Sequence, residues 1–396
     1  MSSPGRRRNG WLILLGALCA VGPLSIDMYL PAMPAIAHSF GASEGTAGLS
    51  IASYLVGLLY GQVVFGALSD QIGRKRPLYF GLLLYVAASL LCATCESPSV
   101  FIASRLVQGF GGCSGMVVAR AVIRDRTVGT ESARAFSMLM LVVSAVPLLS
   151  PPLGALLLCW YEWRLLFAVM ASFGGICLAA VHYTMRESYV QRKGLPASWL
   201  VASSGFLTLL SCRTFMTYTL CNALAQGVMY AYITGSPFFL IELYQLSPNA
   251  YSGILAFGSL GLIAASQINT RLVGRFSLDR IIRWSSLALA MLGLCGIFEF
   301  FFKLDPLFFT AKMFLCLTCL GFIAPNCAAL ALEKHGTRAG IASAFMGTIL
   351  FAVGAICAGT IAIFQDTSSS ALVWVVALCG MSAFYAYWQA TRAEQK

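Results

Sequence analysis

Gly66-Ala-Leu-Ser-Asp-Gln-Ile-Gly-Arg-Lys-Arg76 joins two long apolar runs, at roughly residues 46–68 and 77–95. Gly73, near its middle, supplies the backbone freedom for a tight turn. Asp70 stands at the end of the first run, where its carboxylate can accept from backbone N–H groups or pair with Arg74. Arg74, Lys75 and Arg76 follow at once. A basic cluster between two apolar runs holds such a turn on the cytoplasmic side of a membrane. The stretch therefore predicts two helices crossing lipid and a short inside-facing turn between them.

The rest of the chain repeats that alternation. Of its 396 residues 59% are hydrophobic and only 10% are charged, and the mean hydropathy is +0.80. A soluble domain carries roughly a quarter of its residues as charges, so an ordinary cytoplasmic enzyme and a disordered chain are both excluded. Further spans are expected at roughly 11–32, 98–120, 135–158 and 165–184, then at roughly 214–240, 250–270, 282–302, 306–331, 341–363 and 371–389. Twelve spans of about 20 residues use about 240 residues, which leaves short loops, two short tails and no sizeable soluble domain. The fold expected is an all-α membrane protein.

The charges test that division. With the N-terminus inside, all of the 26 Lys and Arg residues except Arg164, Lys303, Arg105 and Lys312 fall in cytoplasmic segments, while acids fall on both sides. That is the asymmetry expected of a multi-pass inner-membrane protein with both termini cytoplasmic. It also accounts for the net charge of +11 without nucleic-acid binding. Arg6–Arg8 before the first apolar run read as the flank of a retained span rather than of a cleaved leader. The 14 cysteines are scattered through apolar runs and read as small buried hydrophobes, and three separated histidines offer little to a metal. The longest hydrophilic stretch begins at Arg186. It divides the chain into a half at 1–185, a linker at 186–213 with a short interfacial helix near 199–210, and a half at 214–396.

Charges inside spans are rare and mark function by default. Asp27 lies in span one about a turn before Pro31, and Arg105 lies in span four. Counted from the span ends, both fall in the outer half of the bilayer, where they can share one cavity. Asp27 is the candidate proton or substrate carboxylate, and Arg105 its electrostatic partner. Gln108, one turn on, shares the face of Arg105. Lys312, in span ten, either snorkels to the outer interface or reaches the cavity. Gln62, Asn222, Gln226 and Asn326 can line a cavity or join helices. Tyr29, Tyr54, Phe136, Met138 and Tyr230 can form an adaptable apolar wall, and Glu242 a solvated cap on span seven.

The stretch at 66–76 resembles the signature after the second span of major facilitator transporters, with Gly66, Asp70, Gly73 and Arg74 matching position by position. Arg105-Leu-Val-Gln-Gly109 resembles that family's fourth-span signature. Ser150-Pro-Pro-Leu-Gly-Ala155 matches its fifth-span drug-antiporter signature at Pro151 and Gly154, with both flanking glycines replaced. Leu24-Ser-Ile-Asp-Met-Tyr-Leu-Pro-Ala-Met-Pro34, Arg124-Asp125 and Ser236-Pro-Phe238 are similar to the bicyclomycin-resistance (Bcr/CflA) drug–proton antiporters. The resemblance implies two pseudo-symmetric six-helix bundles around a central cavity. It implies a conformational latch at Asp70, Gly73 and Arg74, helix flexibility at Pro151 and Gly154, and proton coupling near Arg105. It further implies export of bicyclomycin-, chloramphenicol- or sulfonamide-type molecules against proton entry, by a single chain in the bilayer. Protons are the coupling ion, and no organic cofactor is expected.

Rival readings differ in what they require. An uptake or exchange carrier for a metabolite would share the fold. A membrane-embedded enzyme would need a His-Glu-x-x-His cluster or a nucleophile with its base, and the sequence has neither. A channel could use Asp27 and Arg105 but would not couple to a pH gradient.

Overall fold

The computed structural model describes residues 4–127, 129–185, 187, 208–302, 306–333, 339–365 and 370–394. Among these residues twelve helical stretches are long and apolar enough to cross a membrane, and they lie where the apolar runs predict. Side chains as apolar as Ile13, Leu141, Ile176 and Ile356 are 64–67% exposed. Such a surface fits a hydrocarbon solvent, because helices satisfy their own backbone groups there.

The helices gather into two compact units. The first comprises Met1–Ala32 and Ser53–Ala202. It holds the start of span one, most of span two (Glu44–Ile72), and spans three (Lys75–Thr94), four (Pro98–Arg126), five (Arg134–Leu158) and six (Arg164–Thr184). Span three packs on spans four and six, and span one on spans four, five and six. Span two is tied to span four where Ser53 Oγ donates to the Ile102 carbonyl at 2.7 Å. Phe101, Trp163 and Phe167 close this core edge to face, with centroids 5.3, 5.7 and 5.9 Å apart.

Span one is broken, and its own sequence breaks it. The α-helix that starts at Pro4 ends at Asp27, a turn follows, Leu30–Ala32 is a 3-10 turn and Met33–Ser39 is helical again. Pro31 has no N–H to give the Asp27 carbonyl, and Pro34 has none for Leu30, so the helical ladder cannot continue.

The second unit comprises Met33–Ala52 and Ser203–Lys396. Span seven (Arg213–Leu243) turns π-helical at Phe238–Leu243, directly after Pro237. It packs on spans ten (Pro306–Glu333), eleven (Ile341–Gln365) and twelve (Ala371–Thr391). Span eight (Pro248–Leu272) packs on span ten, and span nine (Leu278–Phe298) on spans ten and twelve. Residues 33–52 were expected with the other N-terminal residues. They gather here instead, with His38 on Glu242 at 2.9 Å and Gly48 against Thr234 and Ala362. Of the expected linker at 186–213, only 187 and 208–213 are described, and 208–211 are helical; the rest of the interfacial helix near 199–210 lies outside the described residues.

Candidate functional site

Span four carries Arg105 into the centre of the first unit, where its side chain is fully buried. Removing a guanidinium from water costs several kcal/mol unless other groups replace its hydration. Here Nη2 donates to the Ser25 carbonyl at 2.9 Å and Nη1 donates to Gln108 Oε1. The rings of Tyr29 and Tyr54 each lie 4.4 Å from the guanidinium carbon, and Phe167 lies at 5.7 Å. A cation over a desolvated ring gains about 2 kcal/mol, so these faces stabilise the buried charge without neutralising it. Among the described residues Arg105 Nε has no hydrogen-bond partner.

Gln108 takes the place expected for it, one turn from Arg105 on the same face. Its Nε2 donates to Ser89 Oγ at 2.7 Å, and Ser89 Oγ in turn donates to the Tyr85 carbonyl. The Tyr85 hydroxyl and Ser25 Oγ are 2.7 Å apart, and Ser25 Oγ donates to the Val21 carbonyl. Tyr54 Oη donates to the Gly22 carbonyl at 3.2 Å. Spans one, two, three and four are thus joined by one polar network inside an apolar core.

Asp27 lies at the depth expected, because the Ser25 carbonyl and the Tyr29 ring on either side of it both touch Arg105. The expected pairing is not made. The buried Asp27 carboxyl forms no ion pair with Arg105, and among the described residues it has no hydrogen-bond partner. The helix ends at Asp27, and it is the ring of Tyr29, in the turn that follows, that meets the guanidinium.

The turn after span two is a second cluster. Gly73 has φ +95°, and a Cβ there would sit 2.9 Å from the Glu187 carboxylate. Arg74 is buried, with Nη1 on Asp70 at 2.7 Å and on Ser69 Oγ at 3.1 Å. Its Nε and Nη2 go to Asp125, at the end of span four, at 2.7 and 3.3 Å. Burial works against the Arg74 charge, but the hydrogen bonds and attraction of Asp125 and Asp70 outweigh it and hold the guanidinium above its ordinary range. Glu187 accepts from the backbone N–H groups of Arg74 and Lys75 at 2.8 and 3.1 Å. A carboxylate is favoured at that helix N-terminus. The Asp70–Arg74 pair follows from i,i+4 spacing, and Asp125 stood only within the quoted Arg124-Asp125 motif. Glu187 was missed, since its partner lies far back in the chain.

Gly154 has a different task from the flexibility implied for it. A Cβ there would overlap the Met28 carbonyl oxygen, so span five approaches the broken end of span one backbone to backbone. Pro147, Pro151 and Pro152 all lie inside the same helix. Met138 is 42% exposed.

The second unit holds the other candidates. Asn222 is buried, and among the described residues its Oδ1 has no hydrogen-bond partner. Lys312 is buried, which excludes snorkelling, and its Nζ lies 5.1 Å from the centroid of the Phe309 ring. Asn326 joins helices, exchanging amide hydrogen bonds with Asn269 at 2.7 and 3.3 Å. Glu242 is paired with His38, a residue that sequence reasoning left without a role.

A family model described as Major Facilitator Superfamily matches residues 13–358. The chain is 32% identical to a Bacillus subtilis protein named uncharacterized MFS-type transporter YdgK, over 96% of each chain. It is 25% identical to the bicyclomycin resistance protein homolog of Haemophilus influenzae, over 98% of this chain and 97% of that one. It is 28% identical to the multidrug resistance protein MdtL of Klebsiella pneumoniae, over 94% of this chain and 90% of that one. Among solved structures, a D-xylose-proton symporter matches with TM-score 0.71 at 15% identity, over 95% of this chain and 96% of that one. A bacterial homologue of the human lysosomal transporter Spinster matches with TM-score 0.71 at 14% identity, over 99% and 98%. At such identities the structural likeness speaks for the fold alone.

Proposed function

The chain belongs to the Major Facilitator Superfamily, and from that premise we propose that it exports drug-like small molecules across the inner membrane in exchange for protons. It is a multi-pass transport protein and not an enzyme. The observation that carries the coupling half of the proposal is Asp27, buried and without a partner among the described residues, at a helix break whose neighbours grip Arg105. An unpaired carboxylate away from water is costly, and it is relieved by a proton or by a cationic or hydrogen-bonding substrate. The two occupants exclude each other at one carboxyl, which is the requirement for exchange. Support for drugs as the exported class comes from the relatives named for bicyclomycin and multidrug resistance.

In the cycle that follows, a proton from outside occupies Asp27. The helices change arrangement, the proton leaves to the cytoplasm, and substrate takes its place for the return. Arg105 stays in place throughout, held by its carbonyl, amide and aromatic partners. Arg74 with Asp70 and Asp125 biases one arrangement over the other, by the differential contacts a two-state equilibrium requires. One chain suffices, and protons are the coupling ion.

The test is proton release from vesicles containing the purified protein, on addition of bicyclomycin, chloramphenicol or a sulfonamide, with Asp27→Asn alongside. Release by the parent and none by the variant is expected. Equal release by both would remove Asp27 from the coupling step. Silence of the parent toward every drug, with proton flux driven by a metabolite, would replace export with an exchange or uptake carrier.

A further inference from the structure

The turn after span eight repeats the turn after span two, with its charges reversed in use. Gly274 has φ +99° against +95° at Gly73, and an arginine follows each, Arg275 and Arg74. Four residues before Arg74 stands Asp70, whereas four residues before Arg275 stands Arg271. The first turn therefore folds its arginine inward onto carboxylates. The second cannot, and Arg271, Arg275, Arg280 and Arg283 all remain exposed. None of these four guanidinium groups has a hydrogen bond or ion pair with a described residue.

Two grooves adjoin this cluster, and both are lined by Arg283. One, of about 660 Å³, runs along the end of span twelve past Tyr385 and Trp388. The other, of about 630 Å³, lies at the start of span nine beside Phe276, Arg280 and Trp284. Trp284 and Tyr385 are 63% and 59% exposed. Asp279 borders both grooves, and its single charge stands against the two arginines Arg280 and Arg283. Its Oδ2 accepts from the Tyr387 hydroxyl at 3.0 Å, and its Oδ1 is buried. Six spans separate the Gly73 turn from the Gly274 turn, so both lie on one side of the membrane, the side that the basic residues assign to the cytoplasm. Tryptophan and tyrosine settle at the headgroup level of a bilayer, and basic pockets between helices on that side suit anionic headgroups.

We propose that this face of the second unit binds an anionic phospholipid of the surrounding membrane, with its phosphate held by Arg280 and Arg283 and its glycerol region against Trp284 and Trp388. Charge complementarity selects the headgroup, and the aromatic groove at the interface selects a lipid over a soluble anion. The proposal is independent of what the protein transports.

The experiment places the full chain in phosphatidylcholine nanodiscs doped with phosphatidylglycerol and counts retained lipids by native mass spectrometry. The parent is expected to retain phosphatidylglycerol preferentially. Each arginine near an anionic surface contributes about fivefold, so R280Q/R283Q should lower the preference about thirtyfold, R283Q alone about fivefold, and R280K/R283K should keep most of it. The single variant serves if the double one does not fold. Equal retention of both lipids by the parent, or an undiminished preference in the glutamine variants, overturns the proposal. Displacement of the lipid by millimolar inorganic phosphate would reassign the face to a soluble anion and overturn it as well.

Discussion

Replacing Arg74 tests whether burial or proximity in sequence decides which carboxylate matters. Arg74 offers one hydrogen bond at 2.7 Å to Asp70, whose side chain is 52% exposed. To Asp125, whose side chain is 21% exposed, it offers two, at 2.7 and 3.3 Å. A hydrogen bond to a sheltered charged group contributes about 1.5–3 kcal/mol. An exposed i,i+4 pair contributes about 0.3–0.5 kcal/mol. A double-mutant cycle of Arg74→Ala with Asp125→Ala should therefore show coupling of about 2 kcal/mol, and the cycle with Asp70→Ala about 0.5 kcal/mol. The measurement is denaturant unfolding of detergent-purified variants, followed by tryptophan fluorescence at low and high salt. High salt should erase the Asp70 coupling and leave most of the Asp125 coupling. An Asp70 coupling as large as that of Asp125 would refute the reasoning. It would mean that the local pair anchors the turn as strongly as the inter-helix one.

Gly154→Ala places a methyl group where the Met28 carbonyl stands, and is expected to cost about 2–3 kcal/mol as overpacking; Gly175→Ala, with open space around it, should leave the melting temperature of the purified protein unchanged. Gln108→Ala strips Arg105 Nη1 and Ser89 Oγ of a partner; a loss of about 1–3 kcal/mol in denaturant unfolding is expected, and an unchanged midpoint would show that water takes the vacated position. Asn222→Leu removes a buried oxygen that has no hydrogen-bond partner among the described residues, so stability should hold or rise while drug-driven proton release falls about tenfold, as for a lost substrate hydrogen bond of about 1.4 kcal/mol. A fall in stability with unchanged transport would instead make Asn222 a structural residue.

Much of this was legible in the chain itself. The spans could be placed because hydrocarbon demands about 20 apolar residues in a row and because arginine and lysine collect on one side. The Asp70–Arg74 pair could be read from its i,i+4 spacing, whereas the break after Asp27 was not expected, although Pro31 and Pro34 cause it. Each of these rests on residues close in sequence, where helix geometry alone fixes the neighbours. The reading failed where depth alone was used: Asp27 and Arg105 were matched by depth, but it is Tyr29, beyond the end of the helix, that meets the guanidinium.

Hydropathy and charge along the chain are enough for the class of molecule, the number and approximate places of its spans, and which few charges lie in the membrane. Apart from Gln108 beside Arg105 and Asp70 beside Arg74, their partners are set by packing between helices. Arg105 rests on Ser25, Tyr29, Tyr54 and Gln108, Arg74 leans on Asp125 from span four, and Glu187 caps a helix begun at Lys75. Hydropathy and charge act on a segment wherever it stands, and so they show in one dimension. Which side chains meet across packed helices depends on rotations and approach distances set by many residues at once, and no local pattern records them.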